Sequence, residues 1–286
     1  MPSSPTVASW DLGQRLREKR ELVGLKGSAV AKRLELSAQF LSAAEHGRKK
    51  LPVDKLNALI KIYEVPEDEA AELRTLRDAS AQRGWWNQFT ALFSDELLRL
   101  FGFEHGAESI CAFDNGLMNG LLQTEDYARA IIEAGSPNIR LAEVDRRVEA
   151  RMIRQRRLSG ADPLQLTAIM SESTIRQQVG GPAVLAAQLD RLLRLIEDHP
   201  DNLDVRIVPY TATGHHAMGG SSFNLMTFPS GKVATLVWQE TVTSTELIAD
   251  ALMVREYGLA YAEIEKTALD RRATVDLITQ VARELR

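Results

Sequence analysis

One cysteine, Cys111, stands among 286 residues. A lone thiol closes no internal disulfide and builds no thiolate metal cluster. That excludes a disulfide-stapled scaffold and fits a reducing compartment, with Cys111 as buried filler. No stretch approaches the roughly 18 consecutive apolar residues of a membrane span, and the opening MPSSPTVAS has neither the basic stretch nor the apolar run of a secretory signal. A cytoplasmic protein without membrane contact is expected. A phosphate-binding loop, a Gly-x-Ser-x-Gly elbow, a His-Glu-x-x-His pair and a dinucleotide fingerprint are also missing. The expectation is therefore a protein that is not an enzyme and takes no cofactor or metal. Glu172 and Glu240 are candidates for a carboxylate pair, but sequence cannot bring them together. His215 and His216 lie in the loop TATGHHAMGGSSF without further ligands at metal spacing and read as loop polarity.

What is present is enough apolar material for two ordinary cores, 44% hydrophobic against 26% charged. The net charge of -4 conceals an asymmetry: from Trp10 to Pro66 twelve Lys and Arg stand against seven Asp and Glu, a net +5, and the rest of the chain carries -9. A basic N-terminal module ahead of an acidic body is the pattern expected when one domain meets a polyanion.

Residues 1–9 are rich in Pro and Ser and are expected to form a flexible arm. Residues 10–66 show helical spacing: Leu12, Leu16 and Leu22, then Val30 and Leu34, then Leu41 and Ala44, then Leu56, Leu59, Ile60 and Tyr63. Gly24 ends the first helix, Ser37 caps the third, Gly47 fits a left-handed helix stop and Pro52 opens the fourth. Residues 67–103 read as a helical connection. In it Trp85, Trp86, Phe89 and Phe93 suit core or interdomain packing, with a dimer surface as the alternative. Residues 104–286 mix α and β: SICAF, LQLTAIM, DVRIVPY, SFNLMTF and VATLVW read as strands, and PSGK as a hairpin turn between the last two. Helices are expected over 124–134, 141–158, 184–198 and as a C-terminal pair over 244–286. The fold class is thus an all-α helix-turn-helix bundle followed by an α+β domain with a small, mostly antiparallel sheet.

The pair of short helices around Ala31 and Gln39 suits major-groove docking. Ala31 permits close crossing, and the third helix is short, serine-capped and polar at its exposed start. Gln39 can read a base edge, with Ser37 and Ser42 reaching phosphate or base beside Ala38. Lys26 and Ser28 at the start of the second helix, and Arg48, Lys49 and Lys50 after the third, are candidate backbone contacts. Phe40 is expected to pack inward. Because one short helix reads few base pairs, a homodimer on paired half-sites of double-stranded DNA is expected.

The run from Leu16 to Val65, above all the Ser-x-x-x-x-Ser-x-x-Glu-x-Gly of Ser37 to Gly47, resembles the XRE-type helix-turn-helix of phage repressors and bacterial regulators. GLMNGLLQTEDYARAII, SESTIRQQVGGPAVLAAQL, VRIVP and GSSF resemble the large C-terminal domain of actinobacterial regulators of the WhiJ-like, antitoxin-like kind. The resemblance implies a DNA-binding regulator, of the repressor type, with a C-terminal domain of unsettled role and a small partner protein encoded nearby. The alternative is an antitoxin-like interaction module binding that partner. Glu35 stands where the family usually has glycine, and a left-handed non-glycine costs roughly 1 to 2 kcal/mol; either the turn differs or the strain is tolerated. Asn119-Gly120 replaces the usual Pro-Gly. In the second domain Phe113, Gln123, Tyr127, Phe223 and Trp238 are candidate ligand-lining residues. Seven arginines between Arg140 and Arg157 read as a solvated face in preference to a second DNA contact.

Overall fold

The computed structural model describes residues 4–135, 140–215, 217–229, 233–241 and 244–286. The chain divides into two compact units. One runs to Gln88 and includes Phe101–Gly106; the other comprises Phe89–Leu100 and Ala107–Arg286.

The first unit is helical. Helix α1 (Pro5–Leu22) starts inside the stretch expected to be a loose arm, which corrects that expectation from Pro5 onward; residues 1–3 lie outside the described residues. The cause is local. Ser4 takes the N-cap, its Oγ accepting from Val7 N at 3.4 Å and donating to Gly102 O at 2.6 Å, and Pro5 supplies a preset first helical position. Ala8 and Trp10 are then buried. Helices α2 (Gly27–Arg33), α3 (Ala38–Glu45) and α4 (Val53–Ile62) follow, then α5 (Glu67–Ala81). Glu67, Asp68 and Glu69 in the first turn of α5 oppose its N-terminal dipole. Leu12, Leu16, Val30, Leu41, Leu56 and Leu59 form one core, and Ala70 and Leu73 of α5 are buried in it, so α5 is a wall of the bundle where a connecting helix was expected. Leu22, assigned to the first helix's apolar face, is 79% exposed.

All four helices α1 to α4 stop in the same way. In each, the residue two beyond the cap donates back to the carbonyl five positions earlier: Leu25 to Arg20, Leu36 to Ala31, Arg48 to Ala43 and Val65 to Ile60. This is the Schellman arrangement, which needs a left-handed residue between. Gly24 and Gly47 provide it at φ 67° and 63°; Glu35 and Glu64 provide it at φ 55° and 53°. The turn therefore keeps its usual shape, and Glu35 carries the strain. A 3-10 turn (Trp85–Phe89) and α6 (Asp95–Gly106), capped by Ser94, complete the helical stretch. Within this unit Trp85 stacks on Phe101 at 5.5 Å.

The second unit is built on six strands, β1 (Ser109–Asp114), β2 (Gln165–Ser171), β3 (Leu203–Val208), β4 (Phe223–Thr227), β5 (Leu236–Glu240) and β6 (Thr245–Ile248), in the order β3-β2-β1-β4-β5-β6. β1, β2 and β3 are parallel neighbours, whereas β4, β5 and β6 join by antiparallel pairings. The sheet is mixed, which corrects the mostly antiparallel expectation. Parallel neighbours need long crossovers, and the chain supplies them: α7 (Glu125–Gly135) and α8 (Val144–Gln155) between β1 and β2, α9 (Ser173–Arg176) and α10 (Pro182–Asp198) between β2 and β3. The β4–β5 pairing agrees with the expected hairpin; its turn residues 230–232 lie outside the described residues. A second correction concerns β6, which occupies residues expected to begin a helix. α11 (Ala251–Thr267) starts only after Asp250, whose carboxylate accepts from Leu252 N and Met253 N. α11 packs on β4 and β5, and α12 (Arg271–Glu284) packs on α10 and β3.

Candidate nucleic-acid interface

The α2–turn–α3 segment is set by local chemistry. Lys26 takes the N-cap of α2 without a side-chain cap bond, as a donor-only side chain must. At α3, Ser37 Oγ accepts from Phe40 N at 3.0 Å. Leu41 and Ala44 turn into the core, Phe40 packs partly against it, and Ala38, Gln39 and Ser42 share the exposed side. Ser37, with Ser28 and Lys26, is exposed as well.

Three contacts hold α3 in place. Arg20 of α1 grips the carboxylate of Glu45 with two bonds of 2.6 and 2.9 Å while donating to Leu25 O at 3.0 Å. The Glu45 hydrogen bond raises the Arg20 guanidinium above its ordinary value against an opposing effect of burial. Gly13 lets the α1 backbone lie directly on the end of α3: a Cβ there would sit 2.5 Å from Ala44 O and 2.6 Å from Glu45 O. Ser9 Oγ donates to Gly47 O at 3.2 Å. Next to the Arg20–Glu45 pair, burial pushes the Tyr63 hydroxyl well up, and its oxygen is buried without a hydrogen-bond partner among the described residues.

The cations divide into two groups. Arg15 pairs with Asp11 and Glu72, Arg17 with Glu21, Lys19 with Glu69 and Arg20 with Glu45, so the basic residues of α1 are internally neutralised. Lys26, Lys32, Arg33, Arg48 and Lys49 are exposed and make no ion pair among the described residues. They cluster in sequence around α2 and the end of α3, so the unpaired positive charge of this module lies in the helix-turn-helix segment. Lys32 and Arg33 were not among the expected contacts; two cations in the last turn of α2 were readable as such, but they also suit the helix dipole. Lys50 differs from its neighbours. Its Nζ donates to Ala81 O and Gln82 O, both at 3.2 Å, and so caps the end of α5.

The five candidate lining residues of the second unit do not converge. Phe113 and Phe223 lie 5.9 Å apart in a core with Val237, under Tyr261 and Ile264 of α11. Trp238 follows Val237 on β5 and by strand alternation points to the opposite face, where its Nε1 is buried without a hydrogen-bond partner among the described residues. Tyr127 accepts from Met118 N at 3.3 Å; Gln123 donates to Met118 O at 2.6 Å and accepts from Arg151 at 2.8 Å. Tyr127 and Gln123 are thus buried and hydrogen-bonded within the fold, and the sheet separates Phe113 and Phe223 from Trp238. The polar residue that sequence reasoning missed is Asp114, at the carboxyl end of β1. It is half-buried, it accepts from Asn119 Nδ2 at 3.0 Å, and burial pushes its carboxyl up to about 7.

The remaining leads resolve structurally. Glu172 holds Arg176 at 2.6 Å and Tyr210 N at 2.7 Å; Glu240 ends β5, three strands and about 14 Å of sheet away. Arg146 and Arg147 lie over Phe89 and Phe93, at 4.8 and 5.0 Å, and pair with Glu149 and Glu143. His215 meets Phe113 edge-on at 5.3 Å, and His216 lies outside the described residues. No helix among the described residues is long and apolar enough to cross a membrane.

A family model described as a helix-turn-helix domain matches residues 11–73, which cover α2, α3 and the cations beside them. A second, described as a domain of unknown function (DUF5753), matches residues 97–280. Neither a curated protein nor a solved structure gives a significant match. The helix-turn-helix match supports a DNA-binding regulator.

Proposed function

The chain belongs to the DUF5753 family, and from that premise we propose that it is a transcriptional repressor of the XRE type that reads an operator as a homodimer. The observation that carries the reading is the coincidence of a serine-capped α3, exposing Gln39 and Ser42, with cations that no carboxylate among the described residues pairs with. Gln39 reads a base edge, preferably adenine, and Ser37 and Ser42 reach phosphate or base beside it. Lys26, Ser28, Arg48 and Lys49 hold phosphates, joined by Lys32 and Arg33. The α+β unit has no catalytic role and adjusts DNA binding through a small partner protein, a reading supported by the resemblance to antitoxin-like, WhiJ-like regulators.

Selection of bound sequences from random duplex DNA by the full chain, at two salt concentrations, tests this. A two-half-site motif is expected, with a log-log salt slope of roughly -5 for about six phosphate contacts. Gln39→Ala should relax preference at its base pair, and Lys49→Ala should weaken binding to all sequences alike. Absence of enrichment at either salt, or indifference to both substitutions, refutes the reading.

A further inference from the structure

α11 carries an apolar stripe that is exposed among the described residues. Leu252 is 73% exposed and Leu259 is 52% exposed, and residues seven apart lie about 20° from each other around a helix. Met253, 45% exposed, is turned about 100° away from Leu252 and lies outside the stripe. The other side of the helix is anchored, with Tyr261 and Ile264 in the core beneath the sheet, so the stripe cannot turn inward. Between the two leucines stand Arg255 and Glu256, both exposed and without an ion pair among the described residues. They flank the stripe on opposite sides, because consecutive residues are rotated by about 100°.

We propose that this face of α11 is where two copies of the chain associate, the two α11 helices running parallel about a two-fold axis. The charges choose the occupant and the direction. In a parallel pair Leu252 meets Leu252 and Leu259 meets Leu259 of the second copy, while Arg255 on each side faces the other copy's Glu256. In an antiparallel pair the same rotation brings Arg255 against Arg255 and Glu256 against Glu256. A self-complementary patch of this kind makes a closed isologous contact. Two helical turns make a small contact, so the dimer is a dissociable one that paired half-sites of DNA reinforce by holding two copies together. The inference draws its use from the dimeric reader proposed above, but association is measured without DNA, so the two can fail separately.

The test is sedimentation equilibrium of the full chain at concentrations up to about 50 µM, above the micromolar dissociation constant expected of a small contact. Wild type should be a dimer, and Leu252→Asp with Leu259→Asp should be monomeric with the melting temperature of dilute, dissociated wild type, since both side chains are exposed. Arg255→Glu and Glu256→Arg should each weaken self-association about tenfold, as two attractive pairs become repulsive. Mixed together, the two single variants should form a heterodimer tighter than either homodimer. A wild-type monomer across this range, a dimer indifferent to the leucine changes, or single charge variants that fail to complement on mixing would each overturn the proposal.

Discussion

Glu35→Gly and Glu64→Gly separate backbone strain from electrostatics. Both glutamates hold the left-handed position of a Schellman stop, at φ 55° and 53°. Relieving a left-handed L-residue returns roughly 1 to 2 kcal/mol, and the extra freedom of glycine in the unfolded chain takes back about 0.5 to 1. Each variant should therefore gain about 0.5 to 1 kcal/mol, or several degrees in the melting of a unit of this size. The two differ in what surrounds them. Glu35 is an exposed negative charge two residues before the Ser37 cap of α3, whereas Glu64 ends α4. Differential scanning calorimetry of the full chain should show similar stabilisation for both. DNA titration at low salt should then show tighter binding for Glu35→Gly alone, since only that change removes a charge facing phosphates, and raising the salt should shrink the gain. If neither variant is stabilised, the strain argument fails; if Glu64→Gly tightens DNA binding as much as Glu35→Gly, the docking face is wrong.

Gly13→Ala should destabilise the first unit by about 1 to 3 kcal/mol despite alanine's better helix propensity, because the new methyl meets backbone carbonyls of Ala44 and Glu45. Gly27→Ala, whose nearest atom would be Arg20 Nε at 3.9 Å, is the control and should be neutral or stabilising in the same denaturation assay. Glu45→Ala leaves Arg20 facing no carboxylate on α3 and should cost about 3 kcal/mol by urea denaturation, with DNA binding lost in proportion. Asp114 has a folded pKa of about 7 against an ordinary value near 3.8, so the folded state holds a proton that the unfolded state has released. Its contribution to stability is present below about pH 4 and is lost as pH rises to 7. Asp114→Asn should flatten that decline in a pH series of denaturation curves; an unchanged slope assigns the proton elsewhere.

Features encoded by neighbours in the chain were legible. Ser37, Gly24 and Gly47 announced their caps and stops because each acts within five residues, and the strand cores β1 to β5 announced themselves as apolar runs. Features set at a distance were not. Strand direction depends on the helices between strands, and β6 is a four-residue edge strand adjoining a helical sequence. Face parity divided Phe113 from Trp238, although both are ordinary buried aromatics by type. The candidate interface shows the same divide: Gln39 and the run after Gly47 were readable, but which cations remain unpaired depends on Glu69 and Glu72, fifty or more residues from their partners on α1. Gly13 gave no local cue, since only the approach of α3 makes a side chain impossible there.

Lys50 ties the segment after α3 to the end of α5. An ammonium has three N–H bonds, and two of these are held by the carbonyls of residues 81 and 82. One is left. A phosphate that took it would be joined through a single nitrogen to the last turn of α5. By thermodynamic reciprocity, anything that loosened those two carbonyls would then weaken the hold on DNA by the same free energy with which DNA tightened them.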